Sequence, residues 1–222
     1  MQDREKTPPL YKQLYDPMLR FLPYIFLGVI TASYATVSAA DYKEYGAYGN
    51  QDALGLFFKG GYEIGFGGGY GYLANKDDVH LMYFEMLGLI NLYSEKPFGV
   101  GLGIRFYGGN KEGKFVLAFL VDEGPSPDFA AVAYGGALSI RPVPYVPQLR
   151  FIAEGYYGSE PYNYKSTSFK DYSASMRYEF KGKNSSNVYL SLGGQRIEVH
   201  EEDGQILQII NGVYFGIGVG LW

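Results

Sequence analysis

Eight charged residues fall on the side of their segments opposite the large apolar side chains: Lys59, Glu63, Arg105, Arg150, Glu154, Asp171, Arg177 and Glu179. Cations and carboxylates confined to one space have two chemical uses. They can neutralise one another as fixed ion pairs, because an unpaired buried charge costs several kcal/mol. They can also line a narrow passage and set its selectivity. Hydrolysis is harder to build from this chain. A serine nucleophile needs a base within reach, and there are two histidines and no cysteine. His80 is followed by Leu81-Met82, with no serine close by. His200 lies in the run Glu198-Val199-His200-Glu201-Glu202-Asp203. Carboxylate oxygens there could hold a divalent cation, although an acidic loop is ordinarily just solvated. Glu154, beside Tyr156 and Tyr157, has the makings of a general acid, and an ion pair accounts for it at less cost. The expectation is therefore no catalytic residue, no cofactor and no metal site.

What would position these charges is a set of strands. The clearest is the last segment, where Val213, Phe215, Ile217, Val219 and Leu221 alternate with Gly216, Gly218 and Gly220, and the chain ends on Trp222. Period-two alternation of large apolar and small residues asks for lipid on one face and a crowded interior on the other. A terminal aromatic suits a membrane–water interface. Phe98, Val100, Leu102, Ile104 and Phe106 alternate in the same way with Gly99, Gly101, Gly103, Arg105 and Tyr107. Tyr172, Ala174, Met176, Tyr178 and Phe180 oppose Asp171, Ser173, Ser175, Arg177 and Glu179. Helical periodicity would group these residues differently.

Composition agrees. The 222 residues include 31 glycines, 23 tyrosines and 15 phenylalanines. Glycine weakens strands, so its abundance needs a reason, and relief of crowding inside a narrow barrel supplies one. Tyrosine and phenylalanine suit interfacial girdles. Without cysteine there is no disulfide, thiolate metal site or cysteine nucleophile. A soluble β-sandwich is the competing fold.

Residues 1–40 read as a non-native extension followed by a secretory signal. From Met18, the expected true start, one positive charge at Arg20 precedes a short apolar run to Ile30 and a small-residue end at Ser38-Ala39-Ala40. A retained membrane anchor is the alternative reading. Of 19 basic and 23 acidic residues, four and three lie before residue 41, leaving 15 and 20 and a net charge of −5. Such a chain is a poor candidate for nucleic acid.

Residues 41–53 read as a periplasmic lead-in and 54–222 as the barrel. The even positions of Leu54, Leu56, Phe58, Tyr62, Ile64, Phe66, Tyr70 and Tyr72 argue for one long strand over 54–73. A two-residue hairpin loop would switch their parity. A three-residue loop is the competing account. Seven more strands follow at about 79–91, 97–108, 128–142, 147–158, 167–181, 187–199 and 208–222. The expectation is an all-β, antiparallel, up-and-down transmembrane β-barrel of about eight strands, with ten as the alternative. An even number places both termini on the periplasmic side. Short turns at 93–97, 142–147 and 182–186 then face the periplasm, and loops 109–127, 159–166 and 200–207 face outward. The apolar run 115–121 reads as a hairpin extension.

The stretches Ala133-Tyr134-Gly135-Gly136-Ala137-Leu138-Ser139, Ala153-Glu154-Gly155-Tyr156-Tyr157, Tyr172-Ser173-Ala174-Ser175-Met176-Arg177-Tyr178 and Gly212 to Gly220 resemble the YfaZ family of small Gram-negative outer-membrane proteins. The resemblance covers about 128 to the end. It implies a small porin-like outer-membrane barrel and brings no catalytic residue with it. Trp222 departs from the usual pattern, being out of phase with Val219 and Ile217. The resulting expectation is a monomer with a structural or surface-interaction role and a salt-bridged, mostly closed lumen. Its partners would be outer-membrane lipid, lipopolysaccharide and the barrel-assembly machinery, with no nucleic acid. A narrow channel for small solutes and a lipid-modifying enzyme are the alternatives. His80 lacks the His-x-Ser arrangement of lipid A deacylases.

Overall fold

Alternating apolar and small residues, repeated along the chain, produce ten strands in a computed structural model. It describes residues 41–77, 79–92, 94–110, 129–142, 146–159, 166–182, 186–201 and 204–221. The strands are β1 (Tyr42–Gly49), β2 (Ala53–Gly61), β3 (Ile64–Asn75), β4 (His80–Ile90), β5 (Phe98–Asn110), β6 (Phe129–Ile140), β7 (Leu149–Ser159), β8 (Ser166–Lys181), β9 (Ser186–Glu201) and β10 (Ile206–Leu221). Each pairs antiparallel with the next, and β1 pairs with β10 to close the barrel. Closure gives every strand two neighbours, although residues 206–214 of β10 extend beyond its ladder with β1. The expected leader, the apolar run 115–121 and Trp222 lie outside the described residues.

Two sequence expectations are corrected. Residues 54–73 are not one strand but β2 and β3, which pair from Ala53↔Asn75 to Gly61↔Gly67. The chain reverses through 62–66, where the Tyr62 N–H donates to the Phe66 carbonyl at 3.1 Å. Gly65 takes φ +135° there, a backbone conformation that favours glycine. The unchanged parity excluded only loops with an even number of residues; this odd-numbered one preserves it. The lead-in is corrected as well, because residues 42–49 form β1. Tyr42 and Glu44 turn inward and are buried, whereas Tyr45 turns outward. The alternation is present but carries tyrosine, glutamate and glycine rather than aliphatic residues. With these changes the strand count is the stated alternative of ten.

Turn chemistry is local. The Asn50 side-chain oxygen accepts from the N–H groups of Asp52 and Ala53, each at 2.9 Å. That of Asn75 accepts from Asp77 at 3.0 Å and Val79 at 2.9 Å. Such Asx turns satisfy backbone donors where the ladder stops. The connections after β2, β4, β6 and β8 share one end of the barrel with residues 42 and 221. The connections after β1, β3, β5, β7 and β9 lie at the other end.

All ten strands expose large apolar side chains on the outer wall. Ile64 is 72% exposed, Phe66 and Phe215 are each 71% and Leu102 is 69%. The inner wall divides in two. Towards the end remote from the termini it is an apolar core that includes Leu73, Leu81, Tyr107, Phe169, Ile197 and Val199. Towards the other end charged side chains enter it, packed beside Tyr42, Leu87, Leu89 and Leu92. β4, whose facing the sequence left open, turns Leu81, Tyr83, Glu85, Leu87 and Leu89 inward, all of them buried.

Glycine sets how closely some strands pack. A Cβ on lumen-facing Gly103 would lie 1.9 Å from the Met86 carbonyl oxygen and 2.9 Å from the Leu87 Cα, both backbone atoms of β4. On outward-facing Gly155 it would meet nothing within 4 Å. Gly103→Ala is therefore expected to cost about 1–3 kcal/mol, as overpacking does, and Gly155→Ala to stay within about 0.5 kcal/mol of the parent. Urea unfolding of the two variants in lipid vesicles checks this. Equal midpoints would mean that the β4–β5 ladder yields without cost.

Candidate functional site: the charged lumen

Inward-facing positions of β2, β4, β5, β7 and β8 bring five charges together, and Arg105 is the centre. Its Nε and Nη2 donate to Glu85 Oε2 at 3.0 and 2.5 Å. Nη2 also reaches Glu154 Oε2 at 2.9 Å, and Nη1 reaches Asp171 Oδ2 at 2.8 Å. The planar guanidinium fork suits several carboxylates at once. Its carbon lies 4.5 Å from the centre of the Tyr83 ring and 3.9 Å from that of Tyr156, so aromatic faces cover the cation. Lys59 donates to Glu154 Oε1 at 2.6 Å and lies 3.7 Å from Glu85 Oε1. Tyr107 donates its hydroxyl to Asp171 Oδ2 at 2.7 Å, and Gln195 Nε2 donates to Asp171 Oδ1 at 3.2 Å. Three carboxylates thus share two cations.

Two further ionic groups lie nearer the termini. Arg177 Nη1 on β8 donates to Glu44 Oε2 on β1 at 2.8 Å, and its guanidinium carbon sits 3.8 Å from the Tyr189 ring centre. Tyr42 and Tyr189 donate their hydroxyls to the same carboxylate, each at 2.7 Å. Beyond them, Arg141 Nη2 donates to Glu179 Oε2 at 2.7 Å, and Arg150 Nη1 lies 3.5 Å from Glu179 Oε1. Arg150 Nη2 also donates to the Ser94 carbonyl at 2.5 Å, tying the connection after β4 to β7. Beside these groups is a cavity of 70 Å³ whose lining includes Tyr48, Phe57, Ser173, Ser175 and Ser191, with room for a few water molecules. Nearer the termini a second cavity of 370 Å³ is lined by Tyr42, Tyr62 and Ser94 among others.

Seven of the eight charges expected on the inner side stand in the lumen: Lys59, Arg105, Arg150, Glu154, Asp171, Arg177 and Glu179. Glu63 does not. It belongs to the turn after β2, where alternation no longer dictates facing, and it sits 3.7 Å from Lys96 with both side chains exposed. Sequence reasoning missed Glu44 and Glu85; the alternation along 129–141 put Arg141 on the inner side, but the expected charge network did not include it. The signal for Glu85 was a single carboxylate amid Tyr83, Phe84, Met86 and Leu87. For Glu44 it was the alternation Tyr42, Glu44, Gly46, Tyr48. The histidines stand apart from this network: His80 Nδ1 contacts the Tyr72 hydroxyl on the outer wall, and His200 lies 3.6 Å from Glu198. Among the described residues no cluster of three His, Asp or Glu is placed to hold a metal ion.

The molecule is a closed, antiparallel, ten-stranded β-barrel with an apolar exterior and an ion-paired interior. No family model matches the chain, and no curated protein matches it. Among solved structures it is similar to one described as a KdgM porin, at 8% identity over 82% of this chain and 98% of that chain, with a TM-score of 0.39. At that level of similarity nothing about activity transfers.

Proposed function

We propose that this chain is a monomeric outer-membrane barrel whose lumen is closed and whose role is structural or surface-interacting. The observation that carries the closed lumen is the crossing of the interior by Arg105, which touches Glu85, Glu154 and Asp171 from three other strands. The apolar core stacked above it adds a second seal. Membrane insertion is supported by the exposed apolar side chains on all ten strands. A water-soluble protein rarely carries so large an apolar surface, and a closed barrel is one of the two architectures that can span lipid. The barrel end remote from Tyr42 and Leu221 then faces outward, and the end that holds those two residues faces the periplasm. The outward loops form the interaction surface, because a rigid scaffold commonly carries binding on its loops. Outer-membrane lipid, lipopolysaccharide and the barrel-assembly machinery are the partners such a barrel implies. Kinship with the YfaZ barrels is part of the same reading and rests on the strand patterns from residue 128 onward.

Planar-bilayer recording tests the closed lumen. The purified protein is expected to give no conductance steps at any applied voltage. Reproducible single-channel steps from the parent protein would replace this reading with a narrow solute channel.

A further inference from the structure

Among the described residues the outer wall carries one carboxylate that contact with lipid tails does not explain. Glu198 faces away from the lumen on β9, as do Arg196 and His200, yet it is only 2% exposed. Its cover is polar. Arg196 Nη2 donates to Glu198 Oε1, the Tyr172 hydroxyl donates to Oε2 at 3.4 Å, and His200 Nε2 lies 3.6 Å from Oε2. The Arg196 side chain is itself 41% exposed. Lys170 stands opposite Glu198 in the β8–β9 register and forms no ion pair among the described residues. Two cations and one covered carboxylate leave this patch with a net positive charge. It lies towards the end of the barrel remote from the termini.

An apolar groove begins just below. In the adjoining register Gly155, Tyr172 and Arg196 are neighbours, and in the next Ala153, Ala174 and Gly194. Ala153 and Ala174 floor a groove of 310 Å³ walled by Leu138, Ile140, Phe151 and Met176. Short side chains between bulky ones leave a trough along the wall. Cations above an apolar trough complement an amphiphile with an anionic head and a hydrocarbon tail.

We propose that this face of β6–β9 binds one phosphorylated glycolipid of the outer leaflet, with a phosphate on Arg196 and Lys170 and an acyl chain in the groove. The inference deepens the outer-membrane reading and rests on it, since that orientation puts this end of the barrel in the outer leaflet. Arginine and phosphate form charge-assisted hydrogen bonds. Buried Glu198 is a positioning residue that holds the Arg196 guanidinium at the rim.

Native mass spectrometry of the purified protein with lipopolysaccharide, its dephosphorylated form or phosphatidylglycerol tests the site. Retention of the phosphorylated glycolipid is expected to exceed that of both others. Lys170→Ala and Arg196→Ala are each expected to lower it about fivefold. Ala174→Phe, which fills the groove without altering charge, should lower it as well. Heat-modifiable gel mobility reports whether each variant is folded, and Lys170→Ala keeps the test decisive if Arg196→Ala is not, because Lys170 supports no described ion pair. Unchanged retention in folded Lys170→Ala and Ala174→Phe, or equal retention of phosphatidylglycerol, would overturn the site while leaving the barrel reading intact. Failure of the parent protein to float with lipid vesicles would remove the membrane reading and the site together.

Discussion

Arg105→Ala is expected to destabilise the barrel by about 3–5 kcal/mol, the usual consequence of removing one partner from a buried ionic group. The Arg105 side chain is 2% exposed, and those of Glu85 and Asp171 are 0% and 3%. Without the guanidinium, three carboxylates face Lys59 alone. Lys59 is already committed to Glu154 at 2.6 Å and is 3.7 Å from Glu85, so Asp171 loses its cation entirely. The faces of Tyr83 and Tyr156 would also be left over a void. Arg105→Lys should fall between parent and alanine variant. It keeps the charge, but a single ammonium cannot reproduce a planar fork that donates to three carboxylates and stacks between two rings. Urea unfolding in lipid vesicles, read by tryptophan fluorescence or gel mobility, gives the comparison. A loss under about 1 kcal/mol for Arg105→Ala would show that water reaches these carboxylates, and the closed-lumen reading would fall with it.

The second large effect is expected at the seam. Glu44→Ala removes the acceptor of three hydrogen bonds, from Arg177, Tyr42 and Tyr189. It strands a guanidinium that is 10% exposed. The cost is again about 3–5 kcal/mol. Glu44→Ala combined with Arg177→Met should cost less than Glu44→Ala alone, because an apolar side chain of similar length leaves no charge unpaired. The double-mutant cycle isolates that coupling. Glu44 has a particular place in the fold. It stands on β1, whose pairing with β10 runs only from Lys43↔Leu221 to Gly49↔Phe215. That seam joins the two most distant parts of the barrel in sequence, the kind of contact whose loop-closure entropy is met late in folding. The Glu44 pair with Arg177 on β8 reaches past β10 and reinforces it. Slower folding of Glu44→Ala into vesicles is the kinetic counterpart. An additive cycle with no coupling would show that seam and pair act independently.

Much of this architecture is written in local alternation. Parity along 98–107 and 168–181 settles which side chains face the lumen, and it placed Arg105, Asp171, Arg177 and Glu179 there without any knowledge of neighbours. The same rule could not see the reversal at 62–66, since an odd-numbered loop leaves parity unchanged, so Glu63 was carried inward with its segment. It also passed over β1, where tyrosine and glutamate stand in for the aliphatic residues that announce a strand. Glu85 was hidden for another reason: β4 is apolar on both faces, with Leu81, Tyr83, Leu87 and Leu89 inward and Met82, Phe84, Met86 and Ile90 outward, so no alternation marks its side.

The amino-acid order alone determined an all-β barrel, apolar outside and charged within, because facing depends only on the two-residue repeat of a strand. The tertiary structure alone decided that there are ten strands, that Arg105 gathers Glu85, Glu154 and Asp171, and that Glu44 answers Arg177. Glu85 stands opposite Arg105 on the neighbouring strand, but Glu154, Asp171 and the Glu44–Arg177 pair join strands far apart in the chain. Which of them meet depends on where every turn falls and on the register in which the cylinder closes, and no local pattern encodes that sum.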